Sequence, residues 1–255
     1  MILAIDIGNT NIVIGCCADG QVIFRERVST NPTATVLEYA AMLKMAFDMN
    51  RADITAVDGA ILSSVVPAVT LTMRDAVHKY LHLTPLVVGP GIKTGLRIHI
   101  DNPAQLGSDL VVDAVAGIHH YPLPQIIIDM GTATKLLVVT KNKEFLGGAI
   151  CAGIKGSMDS LVTTTSKLSR TSLEVPKKVI NGDTSQCIQS GILYGHIAMV
   201  EGLVNKAKAE IGDSSTKVIV TGGYSNVIKA YLDSSYIYDA NLLLDGMLFI
   251  YNKNK

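Results

Sequence analysis

The chain has 255 residues, which suits one large or two modest domains. Hydrophobic residues make up 48% and charged residues 17%, so a sizeable core is available and disorder is not expected. With 22 Lys and Arg against 22 Asp and Glu the formal net charge is zero, which argues against bulk attraction to nucleic acid or an anionic membrane.

Met1 leads into an apolar segment with neither a basic leader region nor a small-residue cleavage site. No stretch approaches the roughly 18 uncharged apolar residues of a membrane helix. The four cysteines form no CxxC pair and the six histidines no metal spacing. Buried free thiols are therefore expected, in a reducing compartment, with the cytoplasm as default.

In chain order, the apolar run Ile2 to Ile5 enters Asp6-Ile7-Gly8-Asn9-Thr10-Asn11, and β-rich Ile12-Val13-Ile14 follows. That predicts strand, tight turn, strand. A helix is predicted over 36–49, a strand over 59–66 and an amphipathic helix over 69–81. Another helix is predicted over 110–120, with Val111, Val112, Val115 and Ile118 on one stripe. Ile126 to Ile128 then enters Asp129-Met130-Gly131-Thr132-Ala133-Thr134, and Leu136 to Val139 repeats the hairpin. The polar stretch 163–172 reads as a surface loop and 190–211 as a long helix. Val218 to Val220 ends in Thr221-Gly222-Gly223, and 242–251 closes as an apolar helix. The two hairpins lie about half a chain apart, so two similar α/β halves are expected, with the boundary between residues 1–115 and 116–255. A P-loop or Rossmann turn would open a helix where these turns open a strand.

The repeated turn has a chemical logic. Glycine lets the backbone approach a ligand, and turn amides with Thr or Asn side chains present donors to phosphate oxygens. An Asp at the strand end can hold a cation that neutralises those oxygens. Asp109 has two readings from pattern alone: a helix N-cap, or a carboxylate that accepts a hydroxyl proton during phosphoryl transfer.

These residues resemble the two phosphate motifs and the adenosine motif of type III pantothenate kinases, in the actin-like ATPase superfamily. Ser63-Ser64-Val65-Val66-Pro67, Val88-Gly89-Pro90-Gly91, Asn102-Pro103 before Gly107-Ser108-Asp109, and Gly147-Gly148-Ala149-Ile150 extend the match. Gly182-x-Thr184 and Ser190-Gly191-Ile192 complete it in order. The resemblance implies a duplicated ribonuclease H-like fold, two mixed-sheet halves around an ATP cleft. It implies ATP-dependent phosphorylation of pantothenate, the first step of coenzyme A biosynthesis, by a homodimer. Asp6, Ile7, Gly8, Asn9, Thr10, Asn11, Ile12 and Val13 would meet ATP, with Thr132, Gly222 and Gly223. Asp109 would be the general base, and Gly107, Ser108, Asp109, Leu110 and Thr184 would contact pantothenate. Asp129 would bind a monovalent cation, potassium or ammonium, and Mg²⁺ would accompany ATP.

Three positions depart from the family's pattern. Leu110 stands where Arg is usual, Ile100 where an acceptor-binding Tyr is usual, and Lys135 where Thr is common. Lys135 could supply charge near the phosphates or point outward. Two other readings stay open: a kinase for a related hydroxylated acid or amide, and an ATP-binding regulator without turnover.

Overall fold

A computed structural model describes residues 1–18, 20–164 and 171–255. Strand β1 (Ile2–Ile7) pairs antiparallel with β2 (Asn11–Ala18), which pairs antiparallel with β3 (Gln21–Ser29). Helix α1 (Val36–Met49) starts at a capping box, in which Thr35 accepts from the Glu38 N–H and Glu38 from the Thr35 N–H. Strand β4 (Gly59–Ser64) runs parallel to β1, on the side away from β2. Helix α2 (Pro67–Leu81) begins with proline, whose fixed φ suits a first turn, and β5 (Leu86–Val87) lies parallel to β4. The resulting order is β3-β2-β1-β4-β5. Leu3, Ile5, Ile7, Ile12 and Ile14 form one buried cluster with Leu43 and Phe47 of α1 and Val69, Met73 and Val77 of α2.

After β6 (Arg97–Ile98) and α3 (Ser108–His120), the plan repeats. Strands β7 (Gln125–Met130), β8 (Ala133–Val139) and β9 (Glu144–Ala152) are antiparallel neighbours. Helices α4 (Ile154–Thr164) and α5 (Thr184–Ile211) follow. Then β10 (Lys217–Thr221) joins β7 in parallel, α6 (Ser225–Ile228) follows, and β11 (Ile237–Tyr238) joins β10. The second sheet reads β11-β10-β7-β8-β9-β6, the first sheet's order with β6 added beyond β9. The duplicated ribonuclease H-like plan is thus present.

The chain forms two compact units. Unit one is Met1–Leu96, Asp101–His119 and Asn241–Lys255, and unit two is Arg97–Ile100 with His120–Ala240. A single cut after residue 115 does not describe this division. The reason lies in α7 (Leu242–Asn254), which buries Leu242, Leu244, Met247 and Ile250 in unit one. Its Gly246 sits so close to α3 that a Cβ there would lie 2.1 Å from the Val112 carbonyl oxygen.

Of the predicted polar loop, 165–170 lie outside the described residues, while Thr163 and Thr164 end α4. The four cysteines are free, but only Cys16 and Cys17 are buried, and Cys187 is exposed. Burial pushes the Cys17 thiol up to about 12. Among the described residues α5 does have the length and composition to cross a membrane, with mean hydropathy 1.2 over its most apolar window. It packs instead on unit two's sheet, with Leu193, Ile197, Val200 and Val204 in one cluster with Ile126, Ile128 and Leu136.

Candidate functional site

In unit one, β1 delivers Asp6 to the sheet's end and the chain turns over Gly8 to Asn11. The Gly8 N–H donates to the Asn11 carbonyl at 3.0 Å, and the Thr30 hydroxyl donates to the Gly8 carbonyl at 2.6 Å. Asn9 and Thr10 are exposed at the tip. Ile7 and Ile12 are fully buried, so of the stretch predicted to meet ATP these two have only main chain to offer.

Parallel pairing sets Ser63 beside Asp6. The Ser63 hydroxyl, fully buried, donates to Asp6 Oδ1 at 2.7 Å and lies 3.0 Å from Ser108 Oγ. Ser108 Oγ accepts from the Ser64 N–H at 2.9 Å and is 3.0 Å from the Ser64 carbonyl. Since the Asp6 carboxylate takes the Ser63 proton, the single Ser108 proton is shared between Ser63 Oγ and that carbonyl. This chain of hydroxyls joins the first phosphate motif to Gly107-Ser108-Asp109. Neither Ser63 nor Ser64 is among the site residues expected from sequence. The available signal was a pair of hydroxyl residues ending a buried strand.

Helix α3 begins at Ser108, two residues before the predicted start, so Asp109 is in its first turn and is not the N-cap. The Gly107 carbonyl accepts from Leu110 and Val111, and Asp109 Oδ1 accepts from the Leu110 N–H at 2.9 Å. A carboxylate is favoured there by the amide dipoles of the helix. Leu110 is buried, so packing occupies the side chain at the usual arginine position.

In unit two, β7 carries Asp129 and the chain turns through Gly131 and Thr132, the Gly131 N–H donating to the Ala133 carbonyl at 3.1 Å. Thr132 is exposed at the tip. Asp129 stands opposite Lys135 of β8 and beside Thr221 of β10. Directly opposed residues on antiparallel strands share a face. Lys135 therefore turns to the carboxylate, with Nζ 2.7 Å from Asp129 Oδ2. Gly222 follows β10 with φ +93°, and a Cβ on it would lie 2.5 Å from Asp129 Oδ1 and 2.4 Å from the Met130 nitrogen. Only glycine suits both the conformation and the approach. Thr134, inside the second motif, has Oγ1 2.8 Å from Nε2 of His196 on α5, and both are buried. Burial lowers the His196 pKa. Thr184 opens α5, exposed, after Asp183 caps that helix by accepting from the Gln186 N–H. Ile100 is half-buried beyond β6. Among the described residues no three His, Cys, Asp or Glu side chains converge to hold a metal.

Comparison with known proteins decides the family. The sequence profile of type III pantothenate kinases matches residues 2–206. A type III pantothenate kinase of Exiguobacterium sp. is 42% identical over 255 residues, all of both chains. The chain belongs to the type III pantothenate kinase family. Its reaction is ATP-dependent phosphorylation of pantothenate in coenzyme A biosynthesis. Several solved structures share the fold of this kinase. A conserved Baf family protein from Campylobacter jejuni superposes with TM-score 0.63 at 17% identity, covering 99% of this chain and 98% of that one. A ROK family glucokinase from Streptomyces griseus gives 0.50 at 14%, covering 98% of each. At such identities the likeness is one of fold alone.

Proposed function

We propose that this kinase phosphorylates the primary hydroxyl of pantothenate with Asp109 as the proton acceptor. The observation that carries this reading is the hydroxyl chain Asp6–Ser63–Ser108, next to Asp109 in sequence. Phosphoryl transfer is chiefly positioning and charge stabilisation, and the chain fixes the phosphate motif relative to the candidate base within unit one. Asp6 to Val13 hold the phosphates through turn amides and through the Asn9 and Thr10 side chains. Thr132, Gly222 and Gly223 serve the nucleotide as well. Asp6 would help to hold the Mg²⁺ that accompanies ATP, and the ion would neutralise phosphate charge. Gly107, Ser108, Asp109, Leu110 and Thr184 contact pantothenate, Leu110 through its main chain.

The protein acts as a cytoplasmic homodimer without nucleic-acid or membrane partners. A groove of about 510 Å³ along β8, β9 and α5, lined by Leu136, Val138, Leu146, Ala149, Leu203 and Ala207, supports association, as does Ile150, 71% exposed.

The test is turnover of ATP with pantothenate by purified protein, with phosphopantothenate identified by mass. ATP binding without turnover would favour the regulatory reading. Turnover only with a different hydroxylated acid or amide would move the acceptor.

A further inference from the structure

We propose that the Lys135 ammonium is the resident monovalent cation at Asp129, so that this kinase needs neither potassium nor ammonium from solution. The inference rests on the kinase reading above and concerns the one position where the expected ion and the residues present disagree. Asp129 was expected to hold potassium or ammonium, yet its Oδ2 has Lys135 Nζ at 2.7 Å. That is the length of a charge-assisted bond between an ammonium and a carboxylate. The two side chains are only 17% and 13% exposed, so the contact is largely shielded from water and salt.

Backbone register fixes the pair. Asp129 and Lys135 are cross-strand partners one residue pair from the turn, so the lysine cannot leave that face without breaking the β7–β8 ladder. The neighbouring space is closed by main chain. Gly222 packs against Asp129 Oδ1 so tightly that a Cβ would reach 2.5 Å, and the Gly131 Cβ position is 3.5 Å from the same oxygen. A free cation at this carboxylate would meet a fixed positive charge in a poorly hydrated site, where like charges repel strongly. A lysine head group is a tethered alkylammonium, so it supplies the same charge and the same N–H donors as a bound ammonium ion. A threonine at this position would supply neither and would leave room for an ion.

Cation dependence tests this, with ATP and Mg²⁺ present and choline as the only other cation. The wild type should change turnover by less than about twofold when potassium or ammonium is added. Lys135→Thr should lose about tenfold or more in choline and recover most of it with either ion, the change falling mainly on the KM for ATP. Lys135→Arg, which keeps the charge, should stay insensitive to the ions. Thermal unfolding with ADP gives a second readout. Potassium should raise the midpoint of Lys135→Thr and leave that of the wild type unmoved. A wild type inactive in choline and restored by potassium would overturn the proposal. So would a Lys135→Thr variant whose turnover and unfolding ignore both ions. Should no salt support pantothenate turnover, the kinase reading fails instead, and the unfolding shifts still decide the role of Lys135.

Discussion

Asp109 has a helix-end contact and a proposed role as proton acceptor, and substitution can separate the two. Its Oδ1 accepts from the Leu110 N–H, which an Asn side-chain oxygen can do equally well. Asp109→Asn should therefore leave the unfolding midpoint nearly unchanged and retain ATP binding, while turnover falls roughly 10²–10⁴-fold for want of a proton acceptor. Unchanged turnover would reduce Asp109 to a helix-end residue. Ser63 separates differently, because its hydroxyl is fully buried between Asp6 and Ser108. Ser63→Ala removes the donor and leaves the half-buried Asp6 carboxylate short of a bond, at a cost of about 1–3 kcal/mol. Urea unfolding measures it, and ATP affinity should weaken in parallel. Residues of this kind were half legible. The Asp-x-Gly motifs announce themselves through a strand running into Gly and Thr, whereas Ser63 matters only because β4 happens to lie in parallel register with β1. The direction of Lys135 was likewise hidden, since it depends on the length of the turn. Asp6 pairs with Val13 seven residues on, but Asp129 pairs with Lys135 six residues on.

At the scale of elements, periodicity served well where burial is one-sided. Helix α1 spans the predicted residues, and α2 and α3 begin two residues earlier than their apolar stripes. The short strands β5, β6 and β11, two residues each, were not legible, since two residues carry no period. Helix α5 joins its unit's sheet through a buried polar contact, Thr134 with His196. Burial holds the His196 pKa below the ordinary histidine value, so the native ring stays neutral at pH values where the unfolded chain takes a proton. The contribution to stability is complete above about pH 6.5 and is lost as pH falls toward the native pKa, by at most about 1.4 kcal/mol per pH unit. The wild-type unfolding midpoint should drop between pH 7 and 5.5 more than that of His196→Gln, which keeps a polar partner for Thr134 and does not titrate. Parallel pH profiles for the two proteins would contradict the neutral ring.

At the scale of the molecule, the duplication was visible because both hairpins repeat the same apolar strand running into an Asp-x-Gly turn, and the two sheets share a strand order. The boundary was not, because it is set by a long-range return of the chain. Helix α7 is apolar on most sides, which says that it is buried but not where. Its docking into unit one leads to a test by truncation. Removing residues 242–255 strips Leu242, Leu244, Met247, Leu248 and Ile250 from unit one's packing, along with the close Gly246–Val112 approach. Their burial contributes on the order of 10 kcal/mol, comparable with the whole stability of a typical domain, about 5–15 kcal/mol. Hydrogen exchange on the truncated protein should show β1, β2 and β4 losing protection while β7, β8 and β10 retain it. The reason is local: Leu244 packs over Gly15 of β2 and Tyr251 over Gly59 of β4, whereas the unit-two cluster contains no residue beyond Tyr236. Protection lost first from β7 and β10 would mean that α7 supports the other sheet, and the single cut near residue 115 would then be the better division of the chain.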